Sequence, residues 1–181
     1  MLPEKLHFSP LSRRLVEASF TGGHITSDAG LLLLREVDRQ HGLTRRLAKI
    51  VPDRRDPGRV QHGLQTLLAQ RIYALAAGYE DLNDHDGLRH DCALQTAVNR
   101  LQPLAGKCNL GRLEQQADRE TVVQAHRLLW EHFIAQHDQA PAEIVLDFDA
   151  TDVPVHGDQE GRFFHGYYDH YCFLPLYVFC G

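Results

Sequence analysis

Asp147 and Asp149 stand two residues apart inside the run Ile144-Val145-Leu146-Asp147-Phe148-Asp149-Ala150-Thr151, and two carboxylates at that spacing can hold a divalent cation. On an extended strand successive side chains alternate faces, so both aspartates point one way while Ile144, Leu146 and Phe148 fill the other. Carboxylates side by side repel, and a divalent ion that demands oxygen ligands, Mg²⁺ above all, relieves the repulsion. The competing reading ends the strand at Asp147 and leaves both charges in a solvated loop, because Asp is common where strands stop.

A second kind of chemistry lies upstream. Residues 1 to 60 hold 11 Lys/Arg against 7 Asp/Glu, and residues 61 to 181 hold 8 against 17, so the net charge of -5 conceals a basic first third. Arg13-Arg14, Arg45-Arg46 with Lys49, and Arg54-Arg55 with Arg59 form three basic clusters. Such clusters suit phosphates, whose neutralisation drives nucleic-acid binding through counterion release. A solvated helix face is the alternative for any one of them.

The elements that must position these groups can be traced by period and punctuation. Arg14 to Phe20 suits a short strand closing at Gly22-Gly23. A helix is expected from Ala29 to about Gln40, with Ser27 and Asp28 as capping residues and Gly42 as its stop, then a short helix from Leu43 to Val51. Val60 to Ala77 carries apolar residues close to helical period and ends at Gly78. The acidic stretch Gly78 to Arg89 does not match a calcium loop and reads as a polar connector of caps and turns. Short helices are expected over Cys92 to Asn99 and Leu110 to Gln116, and a longer one from an Asp118 cap to about His137.

Beyond Gln139-Ala140-Pro141 the texture becomes extended. Glu143 to Asp149 reads as one strand, and Tyr171 to Phe179, aromatic and β-branched, as its hairpin partner. Between them Asp152, Asp158 and Glu160 read as solvated turn residues. His165 and His170 could touch DNA or metal but read as hydrogen-bonded histidines of a half-buried hairpin, and Tyr167 and Tyr168 could stack on a splayed base but read as core aromatics. The fold class is therefore α+β, helical first.

Composition bounds the class of protein. Hydrophobic residues make up 43% and charged residues 24% of 181, the balance of a soluble globular chain. No apolar stretch approaches the roughly 18 residues of a membrane span, and no secretory leader opens the chain. Cys92, Cys108, Cys172 and Cys180 show no CxxC spacing and read as reduced thiols of a cytoplasmic protein, not as a zinc site or disulfide framework. Neither Gly22-Gly23 nor Gly106-Lys107 completes a phosphate loop.

Four blocks, in order along nearly the whole chain, carry a resemblance: Phe20 to Arg35, Gln70 to Asp86, Leu146 to Asp152 followed by His156 to Tyr168, and Leu174 to Phe179. Through them the chain resembles the N-terminal part of a DDE transposase of insertion-sequence family 1380.

The resemblance implies a ribonuclease H-like catalytic domain in which Asp, Asp and Glu hold two divalent ions, Mg²⁺ or Mn²⁺. It places the first of these at Asp149, with Asp147 as neighbour or second candidate. Residues 1–140 are then a mostly helical DNA-binding region, with Arg13, Arg14, Arg45, Arg46, Lys49, Arg54, Arg55 and Arg59 as electrostatic candidates for phosphate contact. Residues 141–181 are the start of the catalytic domain, its first β-hairpin. The implied partner is double-stranded DNA, both terminal inverted repeats and target, bound by a homo-oligomer at the nucleoid. The second Asp and the Glu fall beyond Gly181, so the chain reads as a fragment inactive by itself. The alternative is a catalytically inactive DNA-binding remnant that inhibits an intact transposase.

Overall fold

The computed structural model describes residues 5–19, 23 and 25–180. Phe20, Gly22 and the side chain of Arg14 lie outside the described residues. The chain divides into two compact units, Met1–His132 and Phe133–Gly181.

The first unit begins with two strands where one was expected. β1 (Lys5–Leu11) pairs antiparallel with β2 (Arg14–Ser19), and Ser12, at φ 58°, and Arg13 turn the chain between them. β1 contains Pro10, which cannot donate to a ladder, and the pairing slips between Phe8 and Leu11 around it.

Seven helices follow among the described residues: α1 (Leu31–His41), α2 (Leu43–Leu47), α3 (Leu64–Ala76), α4 (His85–Leu88), α5 (Cys92–Ala97), α6 (Lys107–Gln115) and α7 (Arg119–Ile134). Two of the expected caps behave differently. Asp118 holds the start of α7, its Oδ1 accepting from the Thr121 amide at 2.8 Å and hydroxyl at 2.7 Å. Ser27 and Asp28 do not cap α1, which starts after Gly30 without a side-chain bond. The Asp28 carboxylate instead accepts from the Tyr79 hydroxyl at 2.9 Å. Gly42 ends α1 as expected, at a left-handed φ of 66° that favours glycine. The helix expected over Val60 to Ala77 starts only at Leu64, and the polar connector contains the short helix α4.

α3 organises the core. Ala69 and Tyr73 pack with Leu31, Leu94, Ala97, Val98 and Leu104, while Leu67 and Leu68 pack with Val51, Ala105, Leu110 and Leu113. Leu94, Leu104 and Leu110 are almost wholly removed from water, and each such leucine contributes about 1.5–3 kcal/mol. Several polar groups cross this core through hydrogen bonds, although His85 Nε2 is buried without a partner among the described residues. Gln70 donates to the Ala105 carbonyl at 2.8 Å and accepts from the Ala105 amide at 3.1 Å, and its Nε2 also lies 3.1 Å from His85 Nδ1. Asp38 joins three helices: it accepts from the Thr44 amide at 2.9 Å, the Thr44 hydroxyl at 2.5 Å and the Tyr73 hydroxyl at 3.0 Å.

The second unit holds two small antiparallel sheets. β3 (Leu146–Ala150) pairs with β7 (Leu176–Cys180), and β4 (Val153–Pro154), β6 (His170–Phe173) and β5 (Phe163–His165) form the other in the order β4–β6–β5. The expected hairpin is thus a pair of non-consecutive strands with a three-stranded sheet inserted between them. The expected strand from Tyr171 to Phe179 is two strands, broken at Leu174-Pro175. Pro175 lacks the N–H that a continuing ladder needs, and its carbonyl accepts from the Thr151 amide at 3.1 Å instead. The architecture is mixed α+β: the β1–β2 pair, then the helices, then two small antiparallel sheets.

Candidate functional site

β3 continues through Ala150, so the reading in which it stops at Asp147 does not hold. Its register with β7 sets Asp147 opposite Phe179 and Asp149 opposite Tyr177. Directly opposed residues share a face, so one face carries both carboxylates flanked by two aromatic rings. Tyr177 and Phe179 stack at 6.3 Å with 24° between their planes. The other face carries Leu146, Phe148 and Ala150 opposite Cys180, Val178 and Leu176. Asp147 and Asp149 are exposed, and neither carboxylate has a hydrogen bond or ion pair among the described residues. Two uncommitted hard oxygen donors on one strand face fit a divalent ion such as Mg²⁺.

Asp152, expected as a solvated turn residue, is partly buried. Its Oδ2 lies 2.9 Å from His170 Nε2, and its Oδ1, also buried, has no hydrogen-bond partner among the described residues. His170 and Cys172 alternate along β6 and so share the face that Asp152 meets. Cys172 is fully buried, and burial, then a hydrogen bond to the Asp152 carboxylate and its charge, push the thiol up from the ordinary range. His170 is hydrogen-bonded as expected, whereas the His165 Nδ1 is buried without a partner among the described residues. Tyr167 and Tyr168 are exposed rather than core residues, and Tyr168 stacks on the His170 ring at 6.0 Å. Asp158 pairs with Arg162, and Glu160 is exposed, as solvated turn residues should be.

The basic residues of the first unit divide by how far they are already committed. Arg13 is exposed at the tip of the β1–β2 turn. Arg45 and Lys49 are exposed on and just after α2, and the partly buried Arg46 lies 3.4 Å from His132 Nδ1. Arg54 and Arg59 are exposed and make loose pairs, at 3.9 Å with Asp118 and 3.5 Å with Asp56. Arg55 is different. It grips Asp53 through two 2.7 Å bonds and donates to the His62 carbonyl at 2.8 Å. The grip holds the Asp53 carboxyl below the ordinary carboxylate range.

Three open clefts regroup these residues with arginines that the sequence clusters did not include. Arg45 shares one with Arg35, Arg39 and Arg100. Arg55 and Arg59 share a second with Arg112, and Arg46 and Lys49 a third with Arg127. Arg35 and Arg39 stand four residues apart on α1, a helical spacing that was available as a signal. Arg100 and Arg112 join only through the packing of distant segments. Beside the second cleft, burial and then the charges of Arg100, Arg89 and Arg55 push His62 below its ordinary range.

Compared with known protein families, residues 8–181 match the model of one described as "Transposase DDE domain group 1". No curated protein and no solved structure matches the chain.

Proposed function

The chain belongs to the transposase DDE domain group 1 family, and from that membership we propose that Asp149, with Asp147 beside it, is the first acidic ligand of a metal-dependent DNA strand-cleavage and transfer centre. Family membership places the protein in DNA transposition and among DNA-binding proteins. No helix among the described residues is long and apolar enough to cross a membrane.

The observation that carries the proposal is the β3–β7 register. It sets two uncommitted carboxylates on one strand face, with Tyr177 and Phe179 alongside. The chemistry supplied by bound Mg²⁺ or Mn²⁺, two ions in the complete centre, is activation of water or a DNA 3'-hydroxyl and stabilisation of the leaving oxygen. Asp149 and Asp147 hold the cation side of that arrangement.

The recognition half of the proposal rests on the helical unit. Of the cations in the three sequence clusters, Arg13, Arg45, Lys49, Arg54 and Arg59 are exposed, and Arg14 and Arg46 complete the clusters in sequence. Contacts of this type position a duplex through its phosphates and carry no sequence information by themselves. We assign the terminal inverted repeats as the DNA bound, a homo-oligomer on DNA as the assembled form, the nucleoid as its location, and insertion-sequence family 1380 as the subgroup.

The test is strand cleavage in a transposase carrying all three acidic ligands, with the chain's own residues varied. Asp149→Ala is expected to abolish Mg²⁺- or Mn²⁺-dependent cleavage while leaving the gel shift on element ends intact. Cleavage that persists overturns the assignment.

A further inference from the structure

Asp152, His170 and Cys172 present one carboxylate oxygen, one imidazole nitrogen and one thiol sulfur that all lie within 4.8 Å of one another. These are not the donors of the Asp147–Asp149 face. A thiolate and an imidazole are soft or borderline ligands, which select zinc-like ions and not Mg²⁺.

The cluster is built by the fold. β6 is the middle strand of its sheet, and the alternation of His170 and Cys172 directs both to one side of it. Asp152 arrives from the other direction, immediately before β4, whose Pro154 lies opposite Cys172 in the ladder. Cys172 is wholly shielded from solvent, and among the described residues Asp152 Oδ1 is a buried acceptor without a hydrogen-bond partner. A buried carboxylate oxygen left unpaired is costly unless a cation or water takes it. Tyr168 stacks on the His170 ring and holds its plane.

We propose that Asp152, His170 and Cys172 form a zinc site with three protein ligands and water at the fourth position. Binding exchanges the thiol proton for the ion: the Cys172 S–H bond breaks, a Zn–S bond forms, and the proton leaves to solvent. The site ties the segment just after β3 to β6, so that it anchors the base of the strand carrying Asp147 and Asp149 without touching them. It stands on this donor geometry alone and is independent of the DNA-cleavage reading.

The experiment is titration of the metal-free, folded chain with Co²⁺ as a spectroscopic substitute for zinc. One equivalent of tetrahedral Co²⁺ with a thiolate-to-metal charge-transfer band is expected, displaced by Zn²⁺ and unmoved by Mg²⁺ in large excess. Cys172→Ser removes the band, Cys92→Ser and Cys108→Ser leave it, and Asp152→Asn weakens binding about 10-fold or more. A folded wild-type chain without a thiolate band, or with a band that survives Cys172→Ser, overturns the proposal. The wild-type measurement decides even if the variants fail to fold.

Discussion

Gln70 and Ala105 exchange two hydrogen bonds in the dry interior of the helical unit, amide to carbonyl in both directions. The side chain thereby acts as a one-residue strand. It pairs a backbone segment, between α5 and α6, that belongs to no ladder of its own.

Gln70→Leu is expected to destabilise the helical unit by about 2–5 kcal/mol, because both backbone groups of Ala105 lose their partner where water cannot replace it. Urea unfolding followed by circular dichroism measures this. A loss below roughly 0.5 kcal/mol would show that the Ala105 segment relaxes to find other partners.

Asp38 should couple energetically to both Thr44 and Tyr73. Burial and then the bond to Asp38 push the Tyr73 hydroxyl well above its ordinary range, so it remains a donor at all physiological pH. Tyr73→Phe is expected to cost about 1–2 kcal/mol and Asp38→Ala about 2–4 kcal/mol, and the double variant less than the sum. Strict additivity in that cycle would mean that the two groups do not bond in solution.

His62 and His85 give the unit an acid-sensitive stability. Burial is the main force that lowers both rings from their ordinary value of 6.5. The folded chain therefore binds protons less readily than the unfolded one. Stability is fully present above about pH 6.5 and is lost as pH falls towards the depressed folded values. Urea midpoints should drop between pH 7.5 and 5.5, and less so in His85→Gln. A midpoint that is flat over this interval would contradict neutral burial.

The cations should separate into two classes. Arg45→Ala and Lys49→Ala are expected each to lower the slope of log affinity against log salt by about 0.9 without changing stability, the signature of phosphate contact. Arg55→Ala is expected to cost about 1–2 kcal/mol of stability, because it unpairs Asp53 and the His62 carbonyl. Gel shifts across a salt series, run beside urea melts, distinguish the two. An Arg55 variant of normal stability but reduced slope would reverse its assignment.

What could be read from the sequence was what is decided locally. The Asp118 cap and the Gly42 stop depend on a few neighbouring residues, and the period of two alone put Asp147 and Asp149 on one face. Distant partners decided the rest. The start of α1 shifted because Tyr79 captures Asp28, and Asp152 left the solvent because His170 draws it inward. The split of β6 from β7 was signalled by Pro175, but its consequence, membership of two different sheets, required the long-range pairing with β3.

That pairing also orders events in time. Leu146 meets Cys180 and Ala150 meets Leu176, so β3 cannot be zipped until about 30 further residues have left the ribosome, some 2–6 s at ordinary synthesis rates. The β4–β6–β5 sheet can close first, using only residues already made. Once formed, it shortens the effective loop between β3 and β7 and lowers the entropic barrier to their meeting. The insertion that hides the pairing from a linear reading thus also shortens the loop that the pairing must close.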